Sequence, residues 1–166
     1  DTETTGLDPM RAELIGLSFA VADGEAAYVP LAHRYAGAPA QLDRAATLEK
    51  LRPLLEYSDS NQDSPRLVGQ NLKYDRHTLA NHGIKLGPAA DDTLLMSYVV
   101  EAHLSHELGN LATRHLGLPT ISYDAVTGKG AARIGFDEVA IETAAEYAAE
   151  DADVTLRVRD ALAPQL

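Results

Sequence analysis

An α/β domain, with a mixed central β-sheet flanked by α-helices, is predicted by three features of the sequence. Branched apolar runs suited to strands come first, at 13–21 and 26–32, on either side of Asp23-Gly24. Helical spacing of apolar residues dominates from residue 42 onward, interrupted by a short apolar stretch at 67–71. No linker in these 166 residues is long enough to separate a pair of domains. Strands followed by helices in a chain of this length fit one α/β unit with its own core.

Each element has a local reason. ELIGLSFAV and AAYVPLA around a DG pair read as a hairpin, because Asp-Gly is the turn that lets two strands fold back on each other. LDRAATLEKLRPLLEY places Leu48, Leu51, Leu54 and Leu55 at helical spacing. SDSNQDSP, at 58–65, reads as a polar loop. LVGQN reads as a short buried strand, and LKYDRHTLANHG as a helix stopped by Gly83. DDTLLMSYVVEAH reads as a helix behind an acidic cap. HELGNLATRHLG reads as another, closed by Gly117. From Leu118 to Phe136 the chain reads as irregular, punctuated by Pro119, Gly128, Gly130 and Gly135, with one or two further helices after it. The last of these covers AAEYAAEDADVTLRVRDALA, at 144–163.

Composition excludes several classes. Hydrophobic residues make up 45% of the chain, too many for a disordered segment. No apolar run approaches the ~20 residues of a membrane span. With no Cys there is neither a disulfide framework nor a thiolate metal site, which points to a cytoplasmic protein. The net charge is −11, from 25 acidic and 14 basic residues. A protein that blankets phosphates with Lys and Arg would be basic. If this one handles a polyanion, it does so in a small groove or through bound cations; otherwise its charge only keeps it soluble.

Carboxylates are the chemical feature. On a strand, alternation points Asp1 and Glu3 to one face. On the last helix, Tyr147 and Asp151 stand one turn apart. Asp75 falls in the first turn of the helix that follows GQN. Three separate elements thus present acidic groups, one with a phenol beside it. Crowded carboxylates repel, so a fold tolerates them where cations sit between, and hard oxygen ligands suit Mg²⁺ or Mn²⁺. Each signal also has an ordinary explanation. D-x-E recurs by chance in acidic chains, Tyr147 could pack on a core while Asp151 faces water, and Asp75 could simply favour a helix N-terminus.

Taken in order, DTETTGLD, GQNLKYD and YAAEDADVTL resemble the three exonuclease motifs of the DEDD superfamily, in its Tyr-containing branch. The chain is most similar to the 3′→5′ proofreading domain of bacterial family A DNA polymerases, and LIGLSFA, AAYVPLAH, LRPLLE, DTLLMSYV and GKG at 128–130 extend the resemblance over nearly its whole length. The resemblance implies a ribonuclease H-like exonuclease fold. It implies a metal-dependent 3′→5′ exonuclease that releases deoxynucleoside 5′-monophosphates from single-stranded or frayed DNA 3′ ends. Asp1, Glu3, Asp75 and Asp151 would hold two divalent metal ions, Mg²⁺ or Mn²⁺, and Tyr147 would orient the attacking water. Leu7 would wedge beside the terminal base, Gln70, Asn71, Lys73 and Tyr74 would line the channel, and Tyr123 would stack on a base. For Leu7 the alternative is a turn leucine returning to the core, and for Tyr123 a half-buried aromatic.

In the family the first of these Asp residues lies inside a strand, behind several apolar residues. The resemblance therefore implies that 1–166 is an exonuclease domain lacking the start of its first strand and the polymerase domain that would act with it in cis. It further implies a monomer, associated in use with the bacterial nucleoid. SHELGNL departs from the family pattern: a basic residue is expected where Ser105 stands and an Asp where Gly109 stands, leaving His103, His106 and Arg114 as substitutes. Two rival functions are a non-catalytic scaffold that guides DNA beside a polymerase, and an RNA-trimming exonuclease of the same superfamily. The complete carboxylate set argues against the first, and GQNLKYD with the GKG segment against the second.

Overall fold

Strand β1 (Thr2–Thr4) lies antiparallel to β2 (Leu14–Ala22), which pairs in turn with β3 (Glu25–Pro30). The computed structural model describes residues 1–56 and 66–166, and the polar loop expected at 58–65 lies outside them. The hairpin turns at Asp23-Gly24 as predicted, with Ala22 opposite Glu25 and Gly24 at φ 75°, a left-handed conformation that glycine adopts without steric cost. Residues Leu14 to Ser18 of β2 are all buried, because helices cover one face and the 136–144 region the other.

Helix α1 (Arg44–Leu55) starts at Asp43, whose side chain accepts from the Ala46 amide at 2.8 Å. It brings Leu48 and Leu55 against β2. Strand β4 (Leu67–Gly69) then leads into α2 (Leu72–Asn81). Between them Asn71 takes a left-handed conformation (φ 61°). The Asn71 and Leu72 amides, which start α2, donate to the Asp92 carboxylate at 3.0 and 2.9 Å.

Asp92 closes β5 (Ala89–Asp92), a strand parallel to β4 that the sequence pattern did not predict. AADD has neither branched residues nor alternation, and its strand character comes from pairing with β4. Asp92 also caps α3 (Thr93–Glu101), as its position ahead of that helix suggested. Both strand senses of a mixed sheet are therefore present, divided between an antiparallel three-stranded sheet and a parallel pair.

The helix expected at 106–117 is a short α4 (Leu108–Leu111) running on into a π-helical turn at Ala112–Leu116, closed by Gly117 at φ 67°. The stretch expected to be irregular contains α5 (Tyr123–Thr127), capped by Ser122. Helix α6 (Ile141–Leu162) crosses β2 and β3 and also packs on α3. Its buried Ala144, Ala148 and Ala152 recur every four residues, so small side chains let the helix approach the sheet closely. That close approach sets Tyr147 and Asp151 beside β1.

Candidate active site

The site begins with the pairing of β1. The Asp1 backbone bonds Ser18 in both directions, its amino group donating to the Ser18 carbonyl at 3.0 Å and the Ser18 amide to the Asp1 carbonyl at 3.1 Å. Glu3 sits opposite Gly16 and is 7% exposed. Helix α6 completes the arrangement with Asp151. One carboxylate oxygen each from Asp1, Glu3 and Asp151 all lie within 4.8 Å of one another. The alternation on β1 and the helical spacing on α6 thus bring together the groups they were expected to bring. Asp75, 4% exposed in the first turn of α2, stands outside that trio, and its Oδ1 accepts from Thr2 Oγ1 at 2.7 Å.

The electrostatics follow from burial and crowding. Burial, then the charge of Asp151, push the Glu3 carboxyl up to about 8; the Asp1 amino group opposes this and Asp75 adds to it. Burial pushes Asp151 up to about 6, opposed by its hydrogen bond from Tyr147. The Tyr147 phenol is itself pushed well above its ordinary range by burial and by the charges of Asp151 and Glu3. It therefore keeps its proton at neutral pH and donates to Asp151. Among the described residues no Lys or Arg pairs with Glu3 or Asp151. Glu3 is buried, Asp151 half-buried and Asp1 exposed, and hard-oxygen ligands whose mutual repulsion no side-chain cation compensates fit a divalent cation that enters from the Asp1 side.

Behind Glu3 lies a group that sequence reasoning missed. A Cβ on Gly16 would collide with the Tyr28 phenol, so only glycine lets that ring cross the strand opposite Glu3. His33 Nδ1 lies 3.0 Å from the Val139 carbonyl and its Nε2 lies 2.7 Å from the Tyr28 hydroxyl. A carbonyl only accepts, so Nδ1 carries the proton, Nε2 is an acceptor, and Tyr28 donates to it. Burial lowers the His33 pKa and raises that of Tyr28, with Glu3 adding to the latter. The sequence signal was a glycine inside a strand pattern, which marks a close approach. Phe136, buried at 1% exposure, was likewise missed; its ring lies 5.8 Å from that of Tyr147 and 6.1 Å from that of Tyr123.

The remaining predicted residues divide into free and engaged groups. Leu7 is 95% exposed in the loop after β1, so it does not return to the core. Tyr123 is 39% exposed, with its ring centroid 6.2 Å from that of Tyr147. Asn71 and Lys73 are exposed at the start of α2. The Gln70 amide donates to the His106 carbonyl at 2.9 Å and accepts from Thr93. The Tyr74 hydroxyl donates to the Gly6 carbonyl and contacts Thr4, holding the Leu7 loop from below. Of the three substitutes for the missing charges, His106 is buried against Tyr98 and bonded to Ser97 at 2.8 Å, and Arg114 is paired with Glu101 at 2.7 Å. Only His103 is exposed.

The sequence profile of the 3′-5′ exonuclease family matches residues 1–166, the whole chain. The chain belongs to that family. Among curated relatives of this exonuclease-family chain, DNA polymerase I of Pseudomonas aeruginosa is 52% identical over 166 residues, covering 98% of the chain and 18% of that protein. DNA polymerase I of Rhizobium leguminosarum is 42% identical over 184 residues, covering all of the chain and 18% of that protein. The chain thus spans under a fifth of the length of these relatives. Among solved structures, Brucella melitensis NrnC with bound Mg²⁺ superposes with a TM-score of 0.67 at 23% identity, over the whole chain and 71% of that protein. The POL domain of Pol1 from M. smegmatis, in complex with DNA primer-template and dNTP, gives 0.67 at 21% identity, over 99% of the chain and 23% of that protein. These likenesses show the ribonuclease H-like exonuclease fold.

Proposed function

We propose that this chain is the proofreading module of a DNA-directed DNA polymerase, removing deoxynucleoside 5′-monophosphates one at a time from DNA 3′ ends. The observation that carries the reading is the meeting of Asp1, Glu3 and Asp151 within 4.8 Å, next to a phenol on the same helix. Two divalent cations, Mg²⁺ or Mn²⁺, held by that trio and by Asp75, would supply positive charge at the scissile phosphate and acidify water. The chain's own residues do the rest. Tyr147, protonated and anchored on Asp151, directs the attacking water rather than taking its proton. Glu3 and Asp75 are held buried on the inner side of the site, while the exposed Asp1 leaves its outer side open to substrate and water. Leu7 wedges against the terminal base, Tyr74 fixes the loop that carries it, and the partly exposed Tyr123 ring stacks on a base. Asn71 and Lys73 face the entering strand, while Gln70 shapes the channel by tying β4 to α3 and to His106. A frayed or mispaired end costs less to unstack and thread, which gives selectivity for errors. The partner in cis would be a polymerase domain, and the setting the bacterial nucleoid. Among the described residues no helix is long and apolar enough to cross a membrane.

The test is digestion of 5′-labelled single-stranded DNA with Mg²⁺ or Mn²⁺, with EDTA as control. A ladder shortening from the 3′ end, absent in EDTA, is expected. No cleavage, or faster cleavage of RNA than of DNA, would sink the reading in favour of the scaffold or RNA-trimming alternative respectively.

A further inference from the structure

The GKG segment at 128–130 plays no part in the carboxylate site, yet its loop is tightly built. Gly128 and Gly130 lie at φ 81° and 58°, where other residues are strained. A Cβ on Gly128 would also press on the Ala132 carbonyl at 3.2 Å. These turns fold 128–134 back onto α5. The Gly128 amide donates to the Asp124 carbonyl at 3.0 Å, and the Ile134 amide to the Thr127 carbonyl at 2.9 Å. Thr127 Oγ1 in turn donates to the Tyr123 carbonyl at 2.9 Å.

Two cations converge as a result. Arg133 pairs with Asp124, and Lys129 Nζ lies 3.9 Å from the same carboxylate. The Arg133 guanidinium also sits 5.8 Å from the centre of the Tyr123 ring, which meets the Tyr147 ring edge-on at an interplanar angle of 71°. Asp124 balances one of the two positive charges, leaving a net positive spot at the rim of an acidic site in a chain of net charge −11. The side chains of Lys129 and Arg133 are 79% and 48% exposed, so both can reach a ligand.

We infer that Lys129 and Arg133 form a clamp for a backbone phosphodiester of the entering strand, on the 5′ side of the scissile phosphate, while Tyr123 stacks on the neighbouring base. This rests on the proposed cleavage of single-stranded DNA. The guanidinium is a planar fork matched to phosphate oxygens, and Asp124 pre-orients it. An aromatic face beside a cation is the pairing that holds single strands without reading their sequence. The clamp thereby explains how a strongly acidic chain retains a polyanion away from its metal ligands.

The experiment compares the wild type with Lys129→Gln/Arg133→Gln in two assays. In the first, anisotropy of a labelled oligodeoxynucleotide is followed in EDTA across a salt series. The variant's slope of log affinity against log salt is expected to shrink by ~0.7 for each phosphate the variant no longer neutralises. In the second, hydrolysis with Mn²⁺ is measured on that oligonucleotide and on the p-nitrophenyl ester of thymidine 5′-monophosphate, which has no upstream phosphate. KM for the oligonucleotide is expected to rise about 10-fold with kcat unchanged, and the ester to be hydrolysed as before. Arg133→Lys in place of Arg133→Gln should restore most of the slope. An unchanged slope and KM would overturn the clamp and show that the two cations only tie the loop to Asp124, as would an equal loss on the ester. A reduced slope in the variant, alongside a wild type that hydrolyses neither substrate, would leave the clamp standing and remove the catalytic reading.

Discussion

Replacing Asp151 by Asn is expected to cut 3′-end cleavage by about 10³-fold or more, the scale seen when one preorganised charge-stabilising group is lost, while making the metal-free protein more stable. The two effects share a cause. Asp151 shares with Asp1 and Glu3 a pocket where their oxygens lie within 4.8 Å, and its charge is the second largest influence raising Glu3. Removing it eliminates a ligand and, without metal, a repulsion. The amide oxygen of Asn can still accept from Tyr147, so α6 should keep its seat. Tyr147→Phe makes the contrast. It leaves every carboxylate in place and removes only the hydroxyl, so metal affinity should hold while turnover falls by ~10²-fold, the lower range for a positioned proton-bearing group. Calorimetric titration of Mn²⁺ beside single-turnover cleavage distinguishes the two. If Asp151→Asn bound metal and cleaved as the wild type does, the assignment of the trio would fail.

The features of this site that could be read in the sequence are those set by short periodicities. Two residues apart on a strand means one face, and four apart on a helix means one face, so Asp1 with Glu3 and Tyr147 with Asp151 were legible as pairs. That the pairs meet depends on the Ala144, Ala148 and Ala152 stripe bringing α6 down on β2, a tertiary fact. β5 escaped for a related reason. AADD carries no strand pattern of its own, and its last residue holds the start of α2 and caps α3 at once. The roles of Gln70 and Tyr74 were also hidden. Both lie in a motif that resemblance assigns to substrate binding, yet their polar atoms bond Thr93, His106 and Gly6 across the fold. Tyr28 and His33, five residues apart around the end of β3, carried only the indirect sign of a glycine at position 16.

Without metal, the stability of this protein is expected to rise as pH falls from about 8 to about 6.5. Glu3 is held at about 8 in the folded state, against 4.5 for an unperturbed Glu. Its folded pKa is raised, so through that window the native state binds a proton that the unfolded chain does not. Stability is therefore lost as pH climbs towards 8 and levels off above it. The full effect of the gap between 4.5 and about 8, at ~1.4 kcal/mol per pH unit, is on the order of 5 kcal/mol. Asp151, raised to about 6, adds a smaller term of the same sign lower down. Below about 6.5 two histidines act the other way. Burial depresses the pKa of His33 and His82, so the unfolded chain takes up protons that the native state refuses, and acid removes stability. Urea unfolding in EDTA from pH 6.5 to 8.5 should show the rise, and Glu3→Gln should flatten it while gaining stability at pH 8. Excess Mn²⁺ should reverse the slope, because bound metal favours the ionised carboxylates and must compete with protons for them. A wild type whose metal-free stability stayed flat across that window would mean that Glu3 is already ionised in the folded protein, and that the crowding of the trio is relieved by some group other than a metal.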